Sequence, residues 1–74
     1  MATNLTAQRV GVEVRVALTR RGMTQTDLAQ QLGLSQTAIS RRLTGEVPFD
    51  VEELAATADF LAVEIADLFP VVAA

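Results

Sequence analysis

The first part of the chain carries apolar side chains in a pattern that suits two kinds of secondary structure. Every second position from Val10 to Leu18 is apolar, as in a half-buried strand. A helical stripe competes with this alternation, because apolar residues also recur at intervals of three and four: Ala7, Val10, Val14, Ala17 and Leu18. We predict a helix from Thr6 to Arg21, since a single strand in an otherwise helical chain would leave its backbone hydrogen bonds without partners.

Capping residues mark the starts of four further helices, because a first helical turn needs side-chain acceptors for its free N–H groups. These starts are Thr24 with Asp27, Ser35, Asp50 with Glu53, and, more weakly, Glu64 with Asp67. Gly22, Gly33 and Gly45 stand where a left-handed residue would end a helix, and Pro70 ends the last.

These signals predict helices over Gln25 to Leu32, Gln36 to Thr44, Val51 to Leu61 and Ile65 to Phe69. The predicted fold class is all-α, with five helices in one domain over residues 1–74 and an irregular tail at 70–74. The apolar end from Phe69 to Ala74 suits either a small dimer interface or a segment that caps the core and is followed by a frayed tail.

Length and composition describe a small domain that is held by its apolar core alone. The chain has 74 residues, 50% of them hydrophobic, and contains no cysteine and no histidine. Disulfides, Cys and His zinc sites and His-based catalysis are thereby excluded, and no cofactor or metal is expected. No signal-peptide pattern or bilayer-length apolar run is present, so we expect a cytoplasmic protein without a membrane partner.

Charge is distributed unevenly on the two sides of Gly45. Up to that residue, six arginines face two acids, for a formal charge of +4; beyond it, seven acids without a basic residue give −7. Such asymmetry is typical of a protein with one side facing nucleic acid, but two solvated faces would produce it as well. An enzyme is not indicated, because the acids fall at helix starts and no glycine-rich phosphate loop is present.

The predicted second and third helices are joined by only three residues, Gly33 to Ser35, so they must cross steeply rather than lie antiparallel. A steep crossing needs a small residue at the contact, which Ala29 supplies, and a positive φ in the turn, which Gly33 supplies. The inner surface would be apolar, formed by Leu28, Leu32, Leu34, Ile39 and Leu43. The segment 24–45 is therefore predicted to be a helix-turn-helix.

The outward face of the predicted third helix is polar. With 100° per residue, Ile39 and Leu43 define its inner side. On the other sides lie the residues that we predict to contact DNA bases: Gln36, Thr37, Ser40 and Arg41. Base edges in a major groove require such donors and acceptors; an arginine suits a guanine and a glutamine suits an adenine. A helix that only presents a solvated surface would also be polar here.

The segment QTDLAQQLGLSQTAISRRLTG, residues 25–45, resembles the helix-turn-helix of the phage repressor and Cro type, the XRE-like family, and nearly the whole chain fits. The resemblance implies a compact, five-helix, lambda-repressor-like DNA-binding domain. It also implies a sequence-specific transcriptional regulator, such as a Cro-like or small immunity-type phage repressor. The expected partners are double-stranded DNA and a second copy of the chain on paired half-sites, with no small-molecule ligand.

Phosphate contacts are expected beside the base-reading residues, because backbone contacts set the register. The resemblance places Gln25 at a position that binds phosphate, at the N-terminus of the second helix. The other predicted phosphate contacts are Ser35, Thr44, the Gly45 amide, Arg20 and Arg21, with Arg9 and Arg15 as weaker candidates. For Arg20 and Arg21, capping of the carbonyls that end the first helix is an equal alternative.

Two positions depart from the pattern of that family. Arg42 stands where an apolar residue is common. A phosphate contact is one alternative for it, but we favour an ion pair with one of the acids that begin just beyond it: Glu46, Asp50 or Glu53. Ala62 stands where many relatives carry glycine, which affects the turn that follows it. The alternative function is a protein-interaction module, an adaptor or antitoxin, which would keep the fold and bind protein through its acidic helices.

Overall fold

The secondary structure is helical in the part of the chain that the computed structural model describes, residues 5–69. Four α-helices follow one another: α1 (Leu5–Arg20), α2 (Gln25–Leu32), α3 (Gln36–Thr44) and α4 (Val51–Leu61). A single turn of 3₁₀-helix (Ile65–Leu68) comes last, and no strand occurs between residues 5 and 69. The predicted all-α class is confirmed.

The first element, α1, is a helix, as the apolar stripe predicted, and not the strand that the alternation of apolar residues would suit. Val10, Val14 and Leu18 are buried, with exposed fractions of 5%, 0% and 3%. Val12 and Val16, which a strand would have buried on the same face, are 54% and 38% exposed. Burial of one stripe against the other helices therefore outweighs the preference of valine for strands.

The predicted caps of α2 and α4 are both reciprocal. Thr24 Oγ1 accepts the backbone N–H of Asp27 at 3.1 Å, and Asp27 Oδ2 accepts that of Thr24 at 2.9 Å. Asp50 and Glu53 repeat the arrangement at the start of α4, with distances of 2.7 and 3.0 Å. Each capping box satisfies backbone donors that a first helical turn leaves free. These acids serve the helix starts, as the sequence predicted.

The fifth predicted α-helix, Ile65 to Phe69, is wrong, because this segment is one 3₁₀ turn, Ile65–Leu68. Its hydrogen bonds join residues three apart, as between the N–H of Phe69 and the carbonyl of Ala66 (3.2 Å). Phe69 has extended angles, φ −95° and ψ 147°. A residue before proline is driven to extended angles, so Pro70 in the sequence leaves too few residues for an α-helix.

Two glycines bring the first half of α1 against the end of α3. A Cβ atom built on Gly11 would lie 2.2 Å from the carbonyl oxygen of Leu43, closer than any side chain can approach. One built on Gly45 would lie 2.6 Å from the Cα of Gln8. The absence of a side chain at both positions lets the two helix backbones touch, which fixes α3 on the body of the molecule.

The core lies between the helices and is closed by the terminal 3₁₀ turn. Its fully buried side chains come from every helix and from that turn: Val14, Leu28, Ile39, Thr57, Leu61 and Leu68. No helix within residues 5–69 combines the length and apolar character that crossing a bilayer requires. The predicted irregular tail, residues 70–74, lies outside the described residues.

Candidate nucleic-acid interface

The crossing of α2 and α3 has the features that the sequence predicted for it. Gly33 adopts left-handed angles (φ 68°, ψ 30°) and ends α2. Ala29 of α2 and Ile39 of α3 are both buried in the apolar core, with exposed fractions of 3% and 0%. Ser35 then starts α3, because its Oγ accepts the N–H of Ala38 at 3.1 Å. The predicted helix-turn-helix is therefore formed, with the short α3 held from behind by apolar contacts.

A shallow depression lies on the outer side of this motif. It is lined by Gln25, Gln36, Thr37, Ser40 and Arg41, all of them exposed. We call these five residues the reading face. The structure thus brings together the four predicted base-contacting residues and one predicted phosphate-contacting residue. The surface presents amides, hydroxyls and one guanidinium, which can donate to and accept from a polar ligand.

The side chain of Gln36 is held by α2. Its Nε2 donates a hydrogen bond to Oγ1 of Thr26, ten residues earlier in the chain. That bond uses one hydrogen of the amide, which leaves the carbonyl oxygen and the other hydrogen for an external partner. Those two groups are the acceptor and donor that an adenine edge requires.

Arg41 forms an ion pair at the edge of the reading face. Its Nε lies 3.3 Å from Oε2 of Glu46, and the two side chains are 58% and 64% exposed. Glu46 was one of three acids that the sequence offered as partners for Arg42, and it pairs with the preceding arginine instead. The pair is open to solvent, so both charges remain accessible to a ligand.

Arg42 forms the predicted ion pair, and its partner is Glu53. Its Nε lies 2.9 Å from Glu53 Oε1, with only 17% and 18% of the two side chains exposed. Its Nη1 also donates to the carbonyl of Ala38 at 3.0 Å. The pair ties α3 to the capping box of α4, which makes Arg42 a structural residue rather than part of the reading face.

Of the phosphate candidates at the ends of α3, Ser35 and Thr44 remain predictions and Gly45 needs a correction. The Ser35 hydroxyl accepts from the backbone, so its own hydrogen can still be donated. The Thr44 hydroxyl donates to the carbonyl of Arg41 at 2.9 Å. Gly45 is buried and its N–H donates to the carbonyl of Arg42 at 3.2 Å, so this amide is not free for a phosphate.

The arginines of α1 and of the turn after it do not line the reading face. Nη2 of Arg21 donates to the carbonyl of Ala62 at 3.1 Å. Arg21 therefore caps a helix end, which was the alternative to a phosphate contact. The helix that it caps is α4, whereas the sequence suggested α1. Arg20 lines a groove beside the terminal 3₁₀ turn. Arg9 and Arg15 are exposed on α1.

A family model described as helix-turn-helix matches residues 14–68, which include α2, α3 and α4 whole. The chain belongs to this helix-turn-helix family. None of the curated proteins matches the chain in sequence.

Several solved structures share the fold of this helix-turn-helix protein. The clp gene regulator ClgR from C. glutamicum superposes with a TM-score of 0.80 at 25% identity, over 88% of this chain and 84% of ClgR. The restriction-modification controller protein C.AhdI from Aeromonas hydrophila gives 0.77 at 24% identity, over 85% and 96%. The BldD DNA-binding domain from S. venezulae gives 0.77 at 22% identity, over 90% and 100%.

Two residues that support the reading face of this helix-turn-helix protein were not found from the sequence. Thr26 accepts a hydrogen bond from Gln36, and Glu46 forms an ion pair with Arg41. A partner ten residues away cannot be read from helical periodicity, because it depends on the angle at which α2 and α3 cross. For Glu46 a signal did exist, since an acid follows the glycine that ends α3, but it fitted Arg42 equally well.

Proposed function

We propose that this chain is a sequence-specific DNA-binding transcriptional regulator that reads the major groove with α3. One observation carries the proposal. The side of α3 that holds Ile39 and Leu43 is buried, whereas the side that holds Thr37, Ser40 and Arg41 is exposed and carries donors and acceptors. Family membership and the likeness to regulator structures indicate a DNA-binding transcription regulator and support this assignment.

The dimensions of α3 support its entry into a groove. An α-helix with its side chains is about 10–12 Å across, which fits the major groove of about 12 Å. At about 1.5 Å per residue, the nine residues of α3 would extend about 14 Å along that groove. We assign Arg41 to a guanine and Gln36 to an adenine, since these pairs match in donors and acceptors. Thr37 and Ser40 lie between them and would contact bases at the centre of the half-site.

Phosphate contacts would flank α3. We assign one to Gln25, on the first residue of α2, where a helix N-terminus attracts an anion. Ser35 can donate its free hydroxyl hydrogen at the start of α3. Six of the seven acids beyond Gly45 lie between Asp50 and Asp67, in α4 and the segments next to it, and none of these six lines the reading face. Among residues 5–69, the single ion pair between an acid and the reading face is that of Arg41 with Glu46.

Repression by a pair of bound copies is the finer role that we propose, of the Cro-like or small immunity type that the sequence resemblance implies. Domains of this kind occupy two half-sites about one DNA turn, or about 10 base pairs, apart. Selected operators should then contain two copies of one short sequence, and a reporter gene placed behind them should be silenced by the protein. An increase in reporter expression would contradict repression while leaving DNA binding intact.

Selection of bound sequences from a random pool of duplex DNA tests the proposal. We expect one preferred sequence, bound about 10³-fold or more tightly than a scrambled duplex of the same composition. The titrations should be run at a fixed salt concentration, because phosphate contacts make affinity fall as salt rises. Absence of binding even at low salt would overturn the proposal and favour a module that binds protein.

A further inference from the structure

The turn that follows α3 holds Glu46 in one place. Gly45 has φ 85°, which reverses the chain at the end of the helix. The N–H of Val47 then donates back to the carbonyl of Arg41 at 3.2 Å, and the N–H of Glu46 lies 3.4 Å from Oγ1 of Thr44. Glu46 and the residue after it are thus tied by hydrogen bonds to the same turn of α3 that carries the arginine.

The ion pair that results has little value for stability. Both side chains are more than half exposed, and solvent-exposed ion pairs of this kind contribute little to folding. The neighbouring pair of Arg42 with Glu53 differs, because it is largely buried and ties two helices together. The position of the Arg41 pair, on the edge of the reading face, instead suggests a role in recognition.

The atoms involved show what that role would be. The Arg41 atom that pairs with Glu46 is Nε, 3.3 Å from Oε2. A guanidinium held at Nε still presents Nη1 and Nη2, the two parallel donors that match N7 and O6 of a guanine. Free arginine side chains have many rotamers, so a partner that restricts them lowers the entropy lost on binding.

We propose that Glu46 is a positioning residue that holds the Arg41 guanidinium with its terminal nitrogens directed at a guanine edge. The proposal rests on the proposed function, because it needs Arg41 to read a base. The carboxylate has a second effect, since its negative charge repels a phosphate at the same place. Arg41 would then gain less by moving from the base to the DNA backbone, and the preference for the correct base would rise.

The test compares Glu46→Gln with the matched control Glu52→Gln, which removes the same charge from an exposed residue in the first turn of α4. Binding is measured to the selected site and to the same site with the guanine assigned to Arg41 replaced by adenine. We expect Glu46→Gln to lower the preference for guanine about three- to tenfold, and Glu52→Gln to leave it unchanged. In an Arg41→Ala background, Glu46→Gln should have no further effect on this ratio.

A second measurement needs no DNA. The Nε–H signal of Arg41 in ¹⁵N-edited NMR spectra of the free protein should move in Glu46→Gln and stay in place in Glu52→Gln. Equal preference for guanine in both variants, or an Arg41 signal that neither variant moves, would overturn the positioning role while the wild type still selects a DNA sequence. Failure of the wild type to prefer any sequence would instead overturn the proposed function, and the positioning role with it.

Discussion

Ala62 shows what a single residue can impose on the fold. It ends α4 with φ 56° and ψ 43°, the one non-glycine residue with positive φ among residues 5–69. Left-handed angles bring the Cβ of an L residue too close to its own backbone, at a cost of about 1–2 kcal/mol. The turn is kept because the Ala62 carbonyl accepts from Arg21 and the Ala62 N–H donates to the carbonyl of Asp59 at 3.1 Å.

Replacing Ala62 by glycine should therefore stabilise the protein. The strain disappears, and the added freedom of glycine in the unfolded chain offsets part of the gain, so we expect about 0.5–1 kcal/mol. Thermal unfolding followed by circular dichroism would show a Tm that is several degrees higher. Ala55→Gly, the same change inside α4 at an exposed position, should lower the Tm. A lower Tm for Ala62→Gly would mean that Ala62 is not strained.

At the scale of elements, the sequence predicted α2, α3 and α4 to the residue, because a capping side chain marks each start and a glycine follows the ends of α2 and α3. The bounds of α1 differ by one residue from those predicted. The last element failed because a proline neighbour and the short segment outweighed the capping signal. Local signals of this kind act within a few residues, so they suffice for helices and not for the packing between them.

The same distinction explains the site. The outward face of α3 follows from helical geometry alone, so the exposure of Thr37, Ser40 and Arg41 could be predicted. The bond of Arg21 to a carbonyl 41 residues away could not, because it depends on the tertiary arrangement of α1 and α4. Charge and residue type alone leave several partners open to each arginine, and only the packing of the helices selects one.

The contact of α1 with α3 provides the prediction at this scale. Gly11→Ala should lower stability by about 1–3 kcal/mol, because the new methyl group meets the carbonyl of Leu43. Helix propensity alone would give the opposite sign, a gain of about 1 kcal/mol. Urea unfolding of the variant decides between them. Gly22→Ala is the control for backbone strain. The Cβ position of Gly22 lies in open space, so only the left-handed backbone at this residue opposes a side chain. Greater stability in Gly11→Ala would contradict the close approach.

The helices of residues 5–69 pack around an apolar core, and the chain has no cysteine to form a disulfide, so that core carries the stability. Ile39 is fully buried in that core, on the inner side of α3. Its truncation to alanine should cost about 2–5 kcal/mol, a large share of what a domain of this size possesses. Val51→Ala, at a position 76% exposed, is the matched control and should change the midpoint of urea unfolding little. Equal midpoints for both variants would refute the core position of Ile39.

Charge, too, acts at this scale. The acidic second half makes the net charge −3, so attraction to DNA has to come from the local surface around α2 and α3. A protein of this kind is expected to bind non-specific DNA weakly, and its function then depends on the base contacts. Arg41 is the strongest of the proposed contacts, because it is the only charged residue of the reading face.

The most direct test of the account is therefore a titration of Arg41→Ala against the selected DNA sequence and against a scrambled duplex. If Arg41 reads a base, affinity for the selected sequence should fall by about 1–3 kcal/mol, or about 5- to 150-fold, with little change on the scrambled duplex. An equal loss on both would show that Arg41 contacts phosphate, and unchanged affinity for the selected sequence would contradict the reading face itself.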